Sequence, residues 1–229
     1  MRSTMIIGAG LATSVAFSAY ADFTGVIEVA GEQTVTEFDG TAVTLWTVDL
    51  YAVASESDDV LLNVYDKTLV GAPSTFFQSA TGVGWKPTNL GGPFDNEANR
   101  KGDSFVTIGG FDFNGHEQAP GAGADTGLDP NFGSNNDDTP GALAGWFNSN
   151  PPGLAGQVGT TDAGLGVIIG RFSSTEGEFS LVGTTLSLTG NKGLGTDAEQ
   201  GSFVITAIPA PGALALLAVA GLAGRRRRG

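Results

Sequence analysis

The chain has 229 residues, with 24 Asp and Glu against 11 Lys and Arg and a formal charge of −13. That balance argues against a partner made of nucleic acid or anionic lipid, because an acidic surface repels phosphate. It contains no cysteine, which excludes a disulfide framework and a thiol nucleophile.

Residues 1–21 read as a secretory signal peptide, predicted as a helix. Arg2 supplies a weakly positive start, residues 5–17 are apolar or small, and Ala19-Tyr20-Ala21 fits the small-x-small cleavage pattern. Cleavage is predicted before Asp22, between Ala21 and Asp22; an uncleaved N-terminal helix is the alternative. Residues 22–208 then form one domain, long enough to bury a single core. Five of the eleven basic residues, Arg2 and Arg225 to Arg228, lie outside it and all 24 acids lie inside. Its formal charge is therefore six minus 24, or −18. Such a surface favours solubility and could hold divalent cations.

The domain reads as nearly all strand. Residues 23–30 are β-rich. Residues 41–54 carry Val43, Leu45, Trp46, Val48, Leu50, Tyr51 and Val53, apolar at both parities, which predicts a central strand covered on both sides. Asp49 interrupts one face and is a candidate buried or edge carboxylate. The acidic turn 55–59 followed by residues 60–65 predicts a hairpin with that strand. A short Phe-Phe strand is predicted over 75–78, and residues 82–102 are loop-like, with Pro87, Gly91-Gly92-Pro93 and Asn/Asp clusters. Strand character returns over 104–113. Residues 114–162 are rich in Gly, Pro, Asn and Asp, and a stretch so poor in periodicity is either a functional loop or poorly ordered. Strands are predicted again over 165–172, 178–182, 184–188 and 202–208. Short strands parted by Gly-rich turns predict an all-β fold, an antiparallel β-sandwich of jelly-roll type with long Gly/Asn/Asp loops.

Residues with chemistry are few. His116 is the single histidine, whereas a His-based zinc site needs two or three. It lies in the turn Asn114-Gly115-His116-Glu117, where a solvated loop histidine is expected. No G-x-S-x-G elbow and no phosphate-cradling glycine loop between strand and helix occurs. Asp125, Asp129, Asn131, Asn135, Asn136, Asp137 and Asp138 crowd one loop. Hard oxygen ligands suit Ca2+, yet the EF-hand spacing is missing, and a solvated acidic loop is the competing reading. A carboxylate pair could serve a glycosidase only at a separation that sequence does not specify. Trp85 and Trp146 sit in loop-like stretches and are expected to be the exposed aromatics. They are candidates for stacking on sugar rings, or alternatively for packing a loop onto the sandwich.

The C-terminal stretch 209–229 has its own order: Pro209, Ala210, Pro211, Gly212, then an apolar run from 213 to 223, Gly224, and Arg225, Arg226, Arg227 and Arg228. Proline is tolerated at a helix start, where the first N–H groups are unpaired. The arginines resist entry into hydrocarbon and act as a membrane stop on the cytoplasmic side. Residues 213–224 would span about 18 Å as a helix, and counting from 207 about 27 Å. Against a hydrocarbon core of about 30 Å, this is a marginal span that arginine snorkelling would complete.

These residues resemble the PEP-CTERM sorting signal of exported bacterial proteins: a Pro-Glu-Pro motif, a short transmembrane helix and a terminal arginine cluster. Ala210 stands where the family's glutamate sits, so the chain carries a Pro-Ala-Pro variant. The resemblance implies processing by an exosortase, a membrane-embedded protease or transpeptidase. An ordinary C-terminal membrane anchor is the alternative. The domain's layout is also similar to uncharacterised PEP-CTERM proteins at residues 46–51, 61–65, 76–78, 103–109 and 146–147, and that likeness implies no activity. The expected protein is thus a non-enzymatic structural or adhesive component of the cell surface or extracellular matrix. Its expected partners are the Sec translocon, an exosortase, the membrane before processing and extracellular polysaccharide. The alternatives are a carbohydrate-binding module with calcium-stabilised loops and a secreted hydrolase that uses carboxylates.

Overall fold

Two long strands, β1 (Phe23–Thr36) and β2 (Ala42–Ala54), pair antiparallel as a hairpin from Phe23↔Ala54 to Thr36↔Ala42. The computed structural model describes residues 23–82, 84–86, 92–109, 126–132, 140, 143–150, 156–193 and 195–208. Both terminal helices predicted above, and with them Ala19, Ala21, Asp22, Pro209, Ala210, Pro211, Gly212, Arg225, Arg226, Arg227 and Arg228, lie outside the described residues. So do His116, Asp125, Asn135, Asn136, Asp137 and Asp138. Among the described residues no helix is long and apolar enough to cross a membrane.

The remaining strands are β3 (Val60–Thr68), β4 (Phe105–Val106), β5 (Thr126–Leu128), β6 (Trp146–Asn148), β7 (Gly159–Thr161), β8 (Gly164–Ser174), β9 (Thr185–Asn191) and β10 (Glu199–Ala207). They join one sheet in the order β4-β8-β2-β1-β10-β9-β3-β6-β5, with β7 beside β8. The all-β expectation therefore holds. A wholly antiparallel arrangement does not: β1 and β10 run parallel, Val26 opposite Ile205 and Glu28 opposite Ala207. This junction stitches two antiparallel groups into a mixed sheet nearly closed into a barrel. The free ends of the sheet are drawn together by side chains. Ile108 N–H donates to Thr126 Oγ1 (3.0 Å), and Trp146 Nε1 donates to the Thr107 carbonyl (3.0 Å).

β2 lies between β1 and β8 and is buried at both parities from Thr47 to Ala52, as its composition predicts. Val48, Leu50 and Ala52 face the main core with Val26, Leu61, Val64, Leu186 and Leu188. The opposite parity carries Leu45, Thr47, Asp49 and Tyr51. There Leu45 packs with Val35 and Ala98 in a second, smaller cluster. An outer layer covers that face: a single π-helical turn, Ala98–Gly102. Gly102 permits the close approach, since a Cβ there would lie 2.9 Å from Leu45 Cδ1 and 3.1 Å from Val35 Cγ2.

Several local expectations are corrected. The acidic turn 55–59 does not close a hairpin, because β2 pairs with β1 and β8 while β3 pairs with β9 and β6. That turn instead carries the chain across the barrel. Residues 75–78 form no strand; Phe77 makes two backbone bonds, from its N–H to Ser173 O (2.7 Å) and from Ser104 N–H to its carbonyl (3.0 Å). The expected alternation survives without a ladder, since Phe76 enters the main core and Phe77 packs on the second cluster. Residues 178–182 are likewise held by side chains rather than a ladder. Trp46 Nε1 donates to Phe179 O (2.8 Å), and Leu181 N–H donates to Glu28 Oε2 (2.6 Å). Within 104–113, the described strand is only Phe105–Val106.

Trp85 and Trp146 are not exposed: 2% and 1% of their surfaces remain accessible. Both rings enter an aromatic core: Trp146 from strand β6, and Trp85 from a segment whose carbonyl accepts from Val106 N–H (2.8 Å). Trp85 lies 5.5 Å from Phe76 and 6.0 Å from Phe132, and Phe132 lies 5.9 Å from Trp146. The apolar volume of two indoles outweighs the polarity of their neighbours in sequence.

Candidate functional site

The β1–β2 turn is tight and internally bonded. Glu37 N–H donates to Thr41 O (2.8 Å), and Gly40 N–H donates to Glu37 O (2.9 Å). Gly40 adopts φ +88°, a left-handed conformation that glycine takes without strain. Asp39 Oδ1 accepts from Thr41 N–H (2.9 Å), and that bond holds its carboxyl below the usual carboxylate range. Phe38, at this tip, is 54% exposed. Its ring meets Phe94, 52% exposed, at a centroid distance of 5.7 Å and an interplanar angle of 60°. A phenylalanine left fully in water forgoes about 1.5–3 kcal/mol of burial. Two such rings pressed together at one rim form an apolar contact surface.

The segment 92–104 brings Phe94 there and is fastened at each step. Asp95 takes a two-pronged bond from Arg100, Nε to Oδ1 at 2.8 Å and Nη2 to Oδ2 at 2.6 Å. Glu97 Oε1 pairs with Lys101 Nζ (3.1 Å), and Glu97 Oε2 accepts from Thr36 N–H (3.0 Å), tying the segment to the end of β1. Asn96 Oδ1 accepts from Asn99 N–H (3.0 Å), and Asn96 Nδ2 donates to Phe94 O (3.1 Å).

Beneath the rings lies a polar clasp. Ser79 joins two carboxylates: its N–H donates to Asp103 Oδ1 (2.5 Å) and its hydroxyl to Glu37 Oε2 (2.8 Å). Asn99 is buried, donating from Nδ2 to Asp103 Oδ2 (3.3 Å) and accepting at Oδ1 from Thr81 Oγ1 (2.6 Å). Burial pushes the Asp103 carboxyl up to about 7. The Ser79 N–H bond opposes that shift, and the nearby Glu37 charge adds to it. Asp103 is thus a proton acceptor poised near neutrality.

The clasp continues into the sheet. Arg171 on β8 forks onto Asp49 on β2, Nε to Oδ1 and Nη2 to Oδ2, both at 2.7 Å. Its Nη1 donates to Lys101 O (2.8 Å), which also accepts from Gln33 Nε2 (2.7 Å). Thr47 and Ser173 hydroxyls lie 3.1 Å apart, and Ser173 N–H donates to Ser104 Oγ (2.9 Å). Asp49 is therefore buried, one of the two alternatives its position left open, and its task is to hold the guanidinium that fastens the outer layer. At the far end of this face, burial pushes the Tyr51 phenol up, with the negative charges of Asp49 and Asp162 adding to it.

Of the proposed calcium ligands, Asp129 and Asn131 are described. Asp129 Oδ1 accepts from Asn131 N–H (2.8 Å) and Oδ2 from Gly145 N–H (2.6 Å), so its carboxylate braces backbone. Among the described residues, no group of three or more His, Cys, Asp or Glu is placed to hold a metal ion. Sequence reasoning missed Phe38, Phe94, Glu37, Asn99 and Asp103. The available signal was the turn dipeptide Asp39-Gly40 directly after an aromatic residue, with a second aromatic, Phe94, directly after Gly-Pro.

The arrangement defines a β-barrel-like module with an exposed aromatic pair on a hydrogen-bonding rim. Comparison of the chain with protein-family models, curated proteins and solved structures returned no match.

Proposed function

We propose that the protein is an exported component of the cell surface or extracellular matrix with a non-enzymatic structural or adhesive role, sorted by an exosortase. The observation that carries this reading is the pair of address-like ends. One is the leader, with its Ala19/Ala21/Asp22 cleavage pattern. The other is the tail, with Pro209, Ala210, Pro211, Gly212 and its four arginines. The fold supports it. The first described residue, Phe23, already lies in β1, and β10 ends at Ala207, two residues before Pro209. The described strands between them pack mainly on one core.

In this role the clasped loops of the outer face suit a contact surface, since their carboxylates and amides fasten segments to the sheet. A second reading, carbohydrate binding, is favoured by the exposed Phe38–Phe94 pair. The test of the first reading is the intact mass of the protein recovered from fractions of its native cells. The expected product begins at Asp22, ends near Pro209 to Gly212 and lies in the envelope or medium. A full-length chain, soluble in the cytoplasm at steady state with Met1 and Arg225 to Arg228 attached, refutes it.

A further inference from the structure

We infer that the Phe38–Phe94 pair is a docking platform for a neutral polysaccharide, which rests on the exposed ring surfaces and bonds to the polar groups of the same rim. The inference rests on the surface role proposed above and names the partner of that surface.

Both rings are more than half exposed, and they come from segments far apart in sequence that meet at one point. They are already positioned. The turn beneath Phe38 is closed by backbone bonds between Glu37, Gly40 and Thr41, and Phe94 O accepts from Asn96 Nδ2. A platform held in place before contact forfeits little freedom on binding. Aromatic faces carry negative quadrupole charge, which attracts the weakly positive C–H groups of a sugar ring. The rings meet edge to face at 60°, so together they form one exposed aromatic ridge against which a sugar ring can rest.

Charge selects among partners. Phe38 is flanked by Glu37 and Asp39, and Phe94 is followed by Asp95 and Glu97. Against these four carboxylates stand Arg100 and Lys101, each engaged with one of them. The rim is therefore negative, and it repels sulfated, phosphorylated or uronate polymers and anionic bilayers. Sugar hydroxyls are donors, and carboxylates and amide oxygens accept from them. A neutral glycan suits both the aromatic and the polar parts of the rim, because Glu37, Asp39 and Glu97 keep accepting lone pairs beyond their bonds to Ser79, Thr41, Lys101 and Thr36.

The test is affinity electrophoresis of the full-length chain in mild detergent, through gels containing soluble amylose, laminarin or alginate. Retardation by amylose or laminarin, and none by alginate, is expected. Phe38→Leu/Phe94→Leu keeps apolar bulk and removes the aromatic faces, so it should weaken retardation by at least about tenfold. Phe38→Tyr/Phe94→Tyr keeps the faces and should stay within about threefold of the parent. Thermal melts of both variants confirm that the fold persists. The inference is overturned if neither neutral glucan retards the parent, if alginate does so equally, or if the leucine variant binds as the parent does. Phe-dependent self-association or vesicle binding without glucan retardation also overturns it. Because the assay is independent of where the protein resides, glucan binding by a cytoplasmic protein would sink only the surface role. An envelope protein that ignores glucans would sink only this inference.

Discussion

Removing one member of the Asp49–Arg171 pair should damage this fold more than removing both. The two side chains are 10% and 3% exposed and are joined by two bonds of 2.7 Å. Asp49→Leu takes the two-pronged partner from a guanidinium that still donates to Lys101 O, and Arg171→Met strands a carboxylate in the same dry layer. Breaking a buried pair from one side costs about 3–5 kcal/mol. For a chain of this size each kcal/mol moves the melting point by about 2–4 °C, so each single variant should lose roughly 6–20 °C. The double variant replaces the pair by apolar groups of similar volume, a change that is often neutral or stabilising. Lys101 O still accepts from Gln33 in its absence. Thermal melts and urea titrations of the parent, both singles and the double form the cycle. The expected double loses less than either single. Singles that cost under about 1 kcal/mol, or a double whose loss equals the sum of the singles, would refute the reasoning.

Asp103 gives the molecule a stability that falls with pH. Its carboxyl rises from 3.8 to about 7 on folding. Between about pH 4 and 7 the folded state therefore keeps a proton that the unfolded chain has lost, and stability declines by roughly 4 kcal/mol at most. Asp103→Asn, neutral throughout, should flatten that decline in urea titrations run from pH 4 to 8. Lys67 acts in the alkaline range. Burial lowers it from 10.5 to about 8, against the opposing charge of Asp129, while its Nζ donates to Pro140 O (2.9 Å). The unfolded chain alone keeps that proton between about pH 8 and 10.5, so stability should rise there by roughly 3 kcal/mol. Lys67→Met should abolish the rise. Gly102→Val should cost about 1–3 kcal/mol through overpacking on Leu45 and Val35, measured as a lower urea midpoint. A midpoint equal to the parent's would show that the outer layer does not press on the sheet.

What the sequence disclosed was local. β2 was legible because β-branched and aromatic residues occupy both parities, which only a strand covered on both faces tolerates. Asp49 was legible as an interruption of one face, buried or at an edge. Its partner was not, since Arg171 lies 122 residues away and nothing local marks it. Strand pairing was the weakest inference. The pattern over 60–65 marks a strand but does not name its neighbour, and the Asp39-Gly40 turn was the better guide to a hairpin. Trp85 and Trp146 were misplaced because local composition describes the backbone, whereas the fate of an indole depends on the apolar volume of the folded core, which Trp146 enters from β6. Phe38 and Phe94 sit among polar neighbours without periodicity, so only the folded chain brings them together.

The parallel β1–β10 junction has a consequence for the order of assembly. The earliest strand to be synthesised waits for the latest, so the hydrogen bonds linking the two antiparallel groups form only when about 180 intervening residues are in place. Ring closure of that length is slow relative to local pairing. A chain threaded outward as proposed would thus stay loose while in transit, and would lock only once its final strand had emerged on the far side.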